Sequence, residues 1–166
     1  MLALILIITG IFLRLIPHAP NFTPVAAIAL FSGVYLKRKS SLLTPFLLMV
    51  ISDILIGLHD VIIFTWGSFL LISLLGTHLK RRKTSANILS FSLLSSFLFF
   101  MLTNFGVWLK GWYPHTLKGL VDCYIMALPF LRNFTLATLF YSAMLFGSYE
   151  LVFLLVKEKR LAKVLL

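Results

Sequence analysis

The order of apolar and polar positions divides the chain into six apolar runs, at about 2–16, 23–36, 42–58, 61–79, 85–107 and 134–156, parted by polar or basic connections. A hydrocarbon core of ~30 Å calls for about 20 such residues per helix, so each run reads as a membrane span. The pattern predicts an all-α, six-helix polytopic bundle, one membrane domain over residues 1–166. The first two runs are short, which leaves two options: helices that cross incompletely against longer neighbours, or a less regular arrangement of residues 1–36. The connection after Val107 is the long one. Within it, Gly119 to Leu131 is apolar but too short to cross, so a short interfacial helix is expected there, with Pro114 and Pro129 near its limits. Pro24 and Pro45 are assigned to the first turns of the second and third spans, where a missing N–H costs little.

Composition agrees with this reading. With 60% hydrophobic residues and a mean hydropathy of +1.02, the chain has too little polar surface to cover a water-soluble globule. Its net charge of +10 would suggest nucleic acid in a soluble domain, but the charge is distributed by position. Most of the Lys and Arg fall in three clusters: Lys37-Arg38-Lys39, Lys80-Arg81-Arg82-Lys83, and Lys157, Lys159, Arg160 and Lys163. They follow the second, fourth and sixth runs, so parity gathers them on one face, which the positive-inside rule makes the cytoplasm. Both termini are then cytoplasmic, and the charge calls for a bilayer rather than a nucleic-acid partner. Residues 1–16 lack a basic n-region and a small-residue cleavage site, so no removable signal peptide is expected. A lone Cys123 excludes an intrachain disulfide.

Fixed helix direction assigns each polar residue a depth. Arg14 and Asp53 fall at similar heights near the outer face, and a charge at membrane depth costs several kcal/mol unless paired or wetted; they are expected to pair, with Arg132 as a third member of the layer. Around them should lie His18, Asn21, His59, Asp60, Asn104, Trp108, Trp112, Tyr113, His115, Asp122, Cys123, Tyr124 and Asn133. Such convergence of polar and aromatic groups suits an outward-facing ligand pocket, with the segment from Trp108 to Tyr124 as its lid. Plainer roles are open to several of them: Trp108, Trp112 and Tyr113 suit an interfacial aromatic belt, the Arg14–Asp53 pair a structural tie, and Cys123 a small apolar filler. Glu150, in the cytoplasmic half of the last span, is expected to meet a Lys or Arg there or to form a subunit contact. No two histidines stand at helical ligand spacing, and no Walker loop, G-x-S-x-G or HExxH pattern occurs, so no metal, cofactor or catalytic apparatus is expected.

Four strings, RLIPHAPNFTPVAAIALFSG at 14–33, SDILIGLHD at 52–60, LTNFGVW at 102–108 and YPHTLKGLVDCYIMALPFLRN at 113–133, resemble a family of small bacterial membrane proteins with no assigned activity. That family in turn is similar, in size, helix number and outer pocket, to the substrate-binding S components of energy-coupling-factor (ECF) vitamin transporters. The resemblance implies a protein that binds a vitamin or related micronutrient at its outer side and topples to release it inside. It also implies a small-xxx-small surface that docks on an ATP-driven energising module; the nearest equivalent is Ala29-x-x-x-Gly33, on the second span rather than the first. Solitary S components for cobalamin resemble this plan, with His, Asp and Arg in the pocket, which makes a corrinoid the first ligand to try. Two other readings compete: a structural or assembly subunit whose polar layer holds a partner's loop, and a membrane enzyme using Cys123, His115 and Asp122.

Overall fold

In the computed structural model, residues 1–165 are described, with side chains through Lys157. All regular structure among them is helical: α1 (Leu2–Leu15), α2 (Val25–Tyr35), α3 (Arg38–Ile56), α4 (Ile62–Leu79), α5 (Ser85–Leu109), α6 (Leu117–Met126) and α7 (Leu128–Leu165). Four of these, α3, α4, α5 and the Leu128–Lys157 part of α7, are long and apolar enough to cross a membrane, while α1 and α2 are shorter apolar helices. The chain is an all-helical membrane protein. Residues 1–36 resolve into two regular helices joined by a turn in which Asn21 takes a left-handed backbone, φ 61°.

The centre of the bundle is α2, whose residues Val25 to Val34 are all buried. It packs against α3, α4, α5 and α7, most extensively against α4. Small residues set that approach: a Cβ built on Gly33 would stand 2.1 Å from the Ser73 carbonyl oxygen and 2.7 Å from Gly76 Cα. Close backbone contact through small residues drives helix association where lipid removes the hydrophobic contrast. The Ala29-x-x-x-Gly33 surface is therefore spent inside the chain, with Ala29 fully buried, and the expectation that it docks a partner is corrected.

Two helix starts differ from the apolar pattern. The third helix begins at Arg38, so the basic cluster forms its N-terminus and Pro45 falls well inside it. A proline there cannot bond the carbonyl four residues back; that carbonyl, on Ser41, instead accepts from Ser73 Oγ at 2.8 Å. The last helix begins at Leu128, with Pro129 as its second residue, a position where proline's fixed φ is already helical. Pro129 therefore starts α7 rather than closing the short helix before it.

One end of the bundle gathers the first two basic clusters. There Glu150 of α7 accepts from the Tyr35 hydroxyl and pairs with Lys83 Nζ at 3.5 Å, and Lys83 lies 4.7 Å from the Tyr35 ring centroid. Glu150 thus finds the basic partner expected of it. The side chains of Lys159, Arg160 and Lys163 lie outside the described residues.

Candidate functional site

The opposite end of the bundle holds the polar layer. Arg14, in the last turn of α1, reaches α3, where its Nη1 stands 2.8 Å from Asp53 Oδ1, 3.3 Å from Met49 Sδ and within hydrogen-bond reach of Ser52 Oγ. Asp53 is 1% exposed and Arg14 16%. The second carboxylate oxygen accepts from Trp66 Nε1 at 2.7 Å and lies 3.8 Å from His59 Nε2. A buried carboxylate is tolerable only when its lone pairs are met by charge and hydrogen bonds, and both oxygens of Asp53 are so met. The expected Arg14–Asp53 pair forms.

Beside the pair are two adjoining cavities that share Asn21, Thr65, Phe99 and Phe134 in their walls. One, of about 290 Å³, is lined by Arg14, His59, Thr23 and Met49 as well. The other, of about 200 Å³, reaches Thr103, Asn104, Val107 and Phe130. In the shared wall Phe99 stacks on Phe134 with ring centroids 4.2 Å apart, and Phe69, which lines the first cavity, lies 5.1 Å from Phe99. The polar side of the first cavity is rich in donors. Every hydrogen bond of Arg14 uses Nη1, leaving Nε and Nη2 without a partner among the described residues, whereas the oxygens of Asp53 are already engaged.

Of the residues expected to form the pocket, Arg14, Asn21, His59 and Asn104 line these cavities and Asp53 anchors them from behind. Arg132 is exposed and lines neither, so it does not join the charged layer. His18 is exposed, its Nδ1 2.9 Å from the Ala19 carbonyl, and Asp60 is also exposed. Asn133 donates to the Pro20 carbonyl and ties α7 to the α1–α2 turn.

The segment from Trp108 to Tyr124 does not close the cavities; it folds on itself and on α5. Trp108 Nε1 donates to the Pro114 carbonyl at 3.0 Å, and His115 Nε2 donates back to the Trp108 carbonyl at 3.0 Å. Thr116 caps α6 by accepting from Gly119 N–H. Cys123 Sγ and Tyr124 Oη then meet the α5 carbonyls of Asn104 and Met101. Local partners satisfy these polar groups, and none of Trp108, Tyr113, His115, Asp122, Cys123 or Tyr124 reaches a cavity wall. Burial pushes the Cys123 thiol above its ordinary pKa, and burial does the same to Tyr124. A thiol held protonated is a poor nucleophile.

Trp66, Ser52 and the three phenylalanines were not singled out by the sequence. Trp66 carried a signal: in an antiparallel hairpin, residues equidistant from the turn face each other, and 53 and 66 are equidistant from the 59–60 turn. An indole N–H is a donor only, which fits it to a buried carboxylate. No group of three or more His, Cys, Asp or Glu suited to hold a metal occurs among the described residues.

No curated protein and no solved structure matches this chain. One family does, over residues 1–163, nearly its whole length. The chain belongs to the Family of unknown function (DUF6580).

Proposed function

We propose that the protein is a solute-binding membrane component of S-component type, taking up a small micronutrient through the paired cavities beside Arg14. In this reading α1 to α5 and α7 make six crossings of a bacterial cytoplasmic membrane, the basic clusters and both termini face the cytoplasm, and the cavities open outward. The observation that carries it is the first cavity: a guanidinium pinned by one nitrogen, its remaining donors unspent, faces a wall of stacked phenylalanines. Those groups suit a ring-bearing solute with a carboxylate or other acceptor-rich end, because Arg binds such groups with paired, charge-assisted hydrogen bonds.

Size narrows the ligand. Cavities of about 200 and 290 Å³ lie at or below the low end of the ~300–1,000 Å³ typical of ligand pockets. They favour a one- or two-ring solute over the corrinoid that the family resemblance suggested. Because Ala29 and Gly33 are buried, an energising module would have to meet a surface other than α2.

Mass spectrometry of solutes carried through purification, followed by thermal shift with a panel of small vitamins, tests this reading. A solute present at 100 times its Kd stabilises by about 2.7 kcal/mol, worth roughly 5–11 °C for a chain of this size. Thr103→Trp, which fills the second cavity, should reduce that shift. An extract free of small molecules, together with a flat panel, would overturn the reading.

A further inference from the structure

A larger cavity lies away from the Arg14 end. It is a groove of about 520 Å³ between the first turns of α5 and the middle of α7, walled by Leu89, Ser92, Leu139, Ala143, Phe146 and Gly147. Ser92 Oγ donates to Ser142 Oγ at 3.0 Å, so the groove floor presents almost no free polar group. Toward the basic end it runs to Ser85 and Glu150. There the Lys80-Arg81-Arg82-Lys83 loop is held in register by α5: Asn87 Nδ2 donates to the Arg82 carbonyl at 2.7 Å, and the Thr84 hydroxyl accepts from Asn87 N–H. Lys80, Arg81 and Arg82 are exposed and in no ion pair among the described residues. The charge of Glu150 is already met by Tyr35 and Lys83, which leaves the mouth of the groove net positive.

We propose that this groove is a specific site for an anionic glycerophospholipid, with an acyl chain between α5 and α7 and the phosphate on the Lys80–Lys83 loop. Apolar walls and a cationic mouth match the two halves of such a lipid, and basic pockets between membrane helices bind anionic head groups elsewhere. The site is independent of the solute reading, since it lies at the other end of the bundle.

The structure supplies its own blocking variant. Gly147 lines the groove and a Cβ built on it meets nothing within 4 Å, so Gly147→Leu projects into the groove. The full-length protein would be placed in nanodiscs of equal POPG and POPC, extracted, and its retained lipid counted by native mass spectrometry. POPG should be retained over POPC by roughly fivefold per engaged basic residue. Arg81→Gln/Arg82→Gln should erase that preference, and Gly147→Leu should reduce retained lipid of both kinds. Equal retention of the two lipids by the wild type would overturn the proposal. So would retention unchanged by Gly147→Leu, or a wild-type dimer that Gly147→Leu dissolves, which would make a second copy the occupant. Should Gly147→Leu fail to fold, the wild-type preference and its response to Arg81→Gln/Arg82→Gln still decide.

Discussion

Replacing Asp53 by Asn tests the charged layer directly. The substitution keeps the shape but removes the charge opposite Arg14, and the new amide can accept through only one oxygen where the carboxylate now meets Arg14 and Trp66 with two. Its NH₂ group would point at one of those donors. Removing one partner of a buried pair typically costs about 3–5 kcal/mol, because the other charge is left uncompensated. Arg14 retains Ser52 and Met49 as partners and 16% exposure to the cavity, which places the expected loss at the low end, about 3 kcal/mol. At roughly 2–4 °C per kcal/mol for a chain of this size, the midpoint of thermal unfolding in detergent should fall by about 6–12 °C. The double variant Arg14→Gln/Asp53→Asn removes both charges and should recover most of the loss, so that the two single losses add to clearly more than the double loss in a double-mutant cycle. A single Asp53→Asn shift below about 2 °C, or no recovery in the double variant, would refute the claim that the pair is buried and interdependent.

Three further outcomes follow from the geometry. Trp66→Phe keeps the ring but removes the donor on Asp53 Oδ2, and should cost about 1.5–3 kcal/mol in the same unfolding assay, the range for a hydrogen bond to a charged group. Gly33→Ala drives a methyl into the Ser73 carbonyl and should destabilise by about 1–3 kcal/mol despite the roughly 1 kcal/mol helix preference of alanine, while Gly147→Ala, which meets open space, should be neutral or stabilising; equal effects of the two would contradict the α2–α4 contact. Because burial raises the Cys123 pKa, the folded protein should react with a maleimide near pH 8 at least about tenfold more slowly than a free thiol, and any stability tied to this shift is present below the unfolded thiol's pKa and lost as pH rises through the folded one; labelling as fast as a free thiol would count against a buried, protonated Cys123.

The apolar runs alone determined the helical membrane class and the approximate extents of the helices, because lipid leaves the backbone no other way to satisfy its polar groups within a single segment. They also determined the Arg14–Asp53 pair, since two opposite charges at one depth have few other partners. Helix starts were less legible where polar chemistry overrode hydropathy: Arg38 opens α3 although it is basic, and Pro45 sits inside that helix because Ser73, on a different helix, supplies the donor its carbonyl partner lacks. The fate of side chains was decided only in three dimensions. Ala29 and Gly33 look alike in sequence whether they face a partner or α4, because smallness permits close approach without saying to what. Trp108, His115, Cys123 and Tyr124 share the polar and aromatic character of pocket residues, yet carbonyls within reach of the α5–α6 turn consumed their hydrogen bonds before any cavity could. With apolar residues on every face of these helices, no periodicity distinguished the wall of a cavity from the surface against lipid; packing around the central α2 made that distinction.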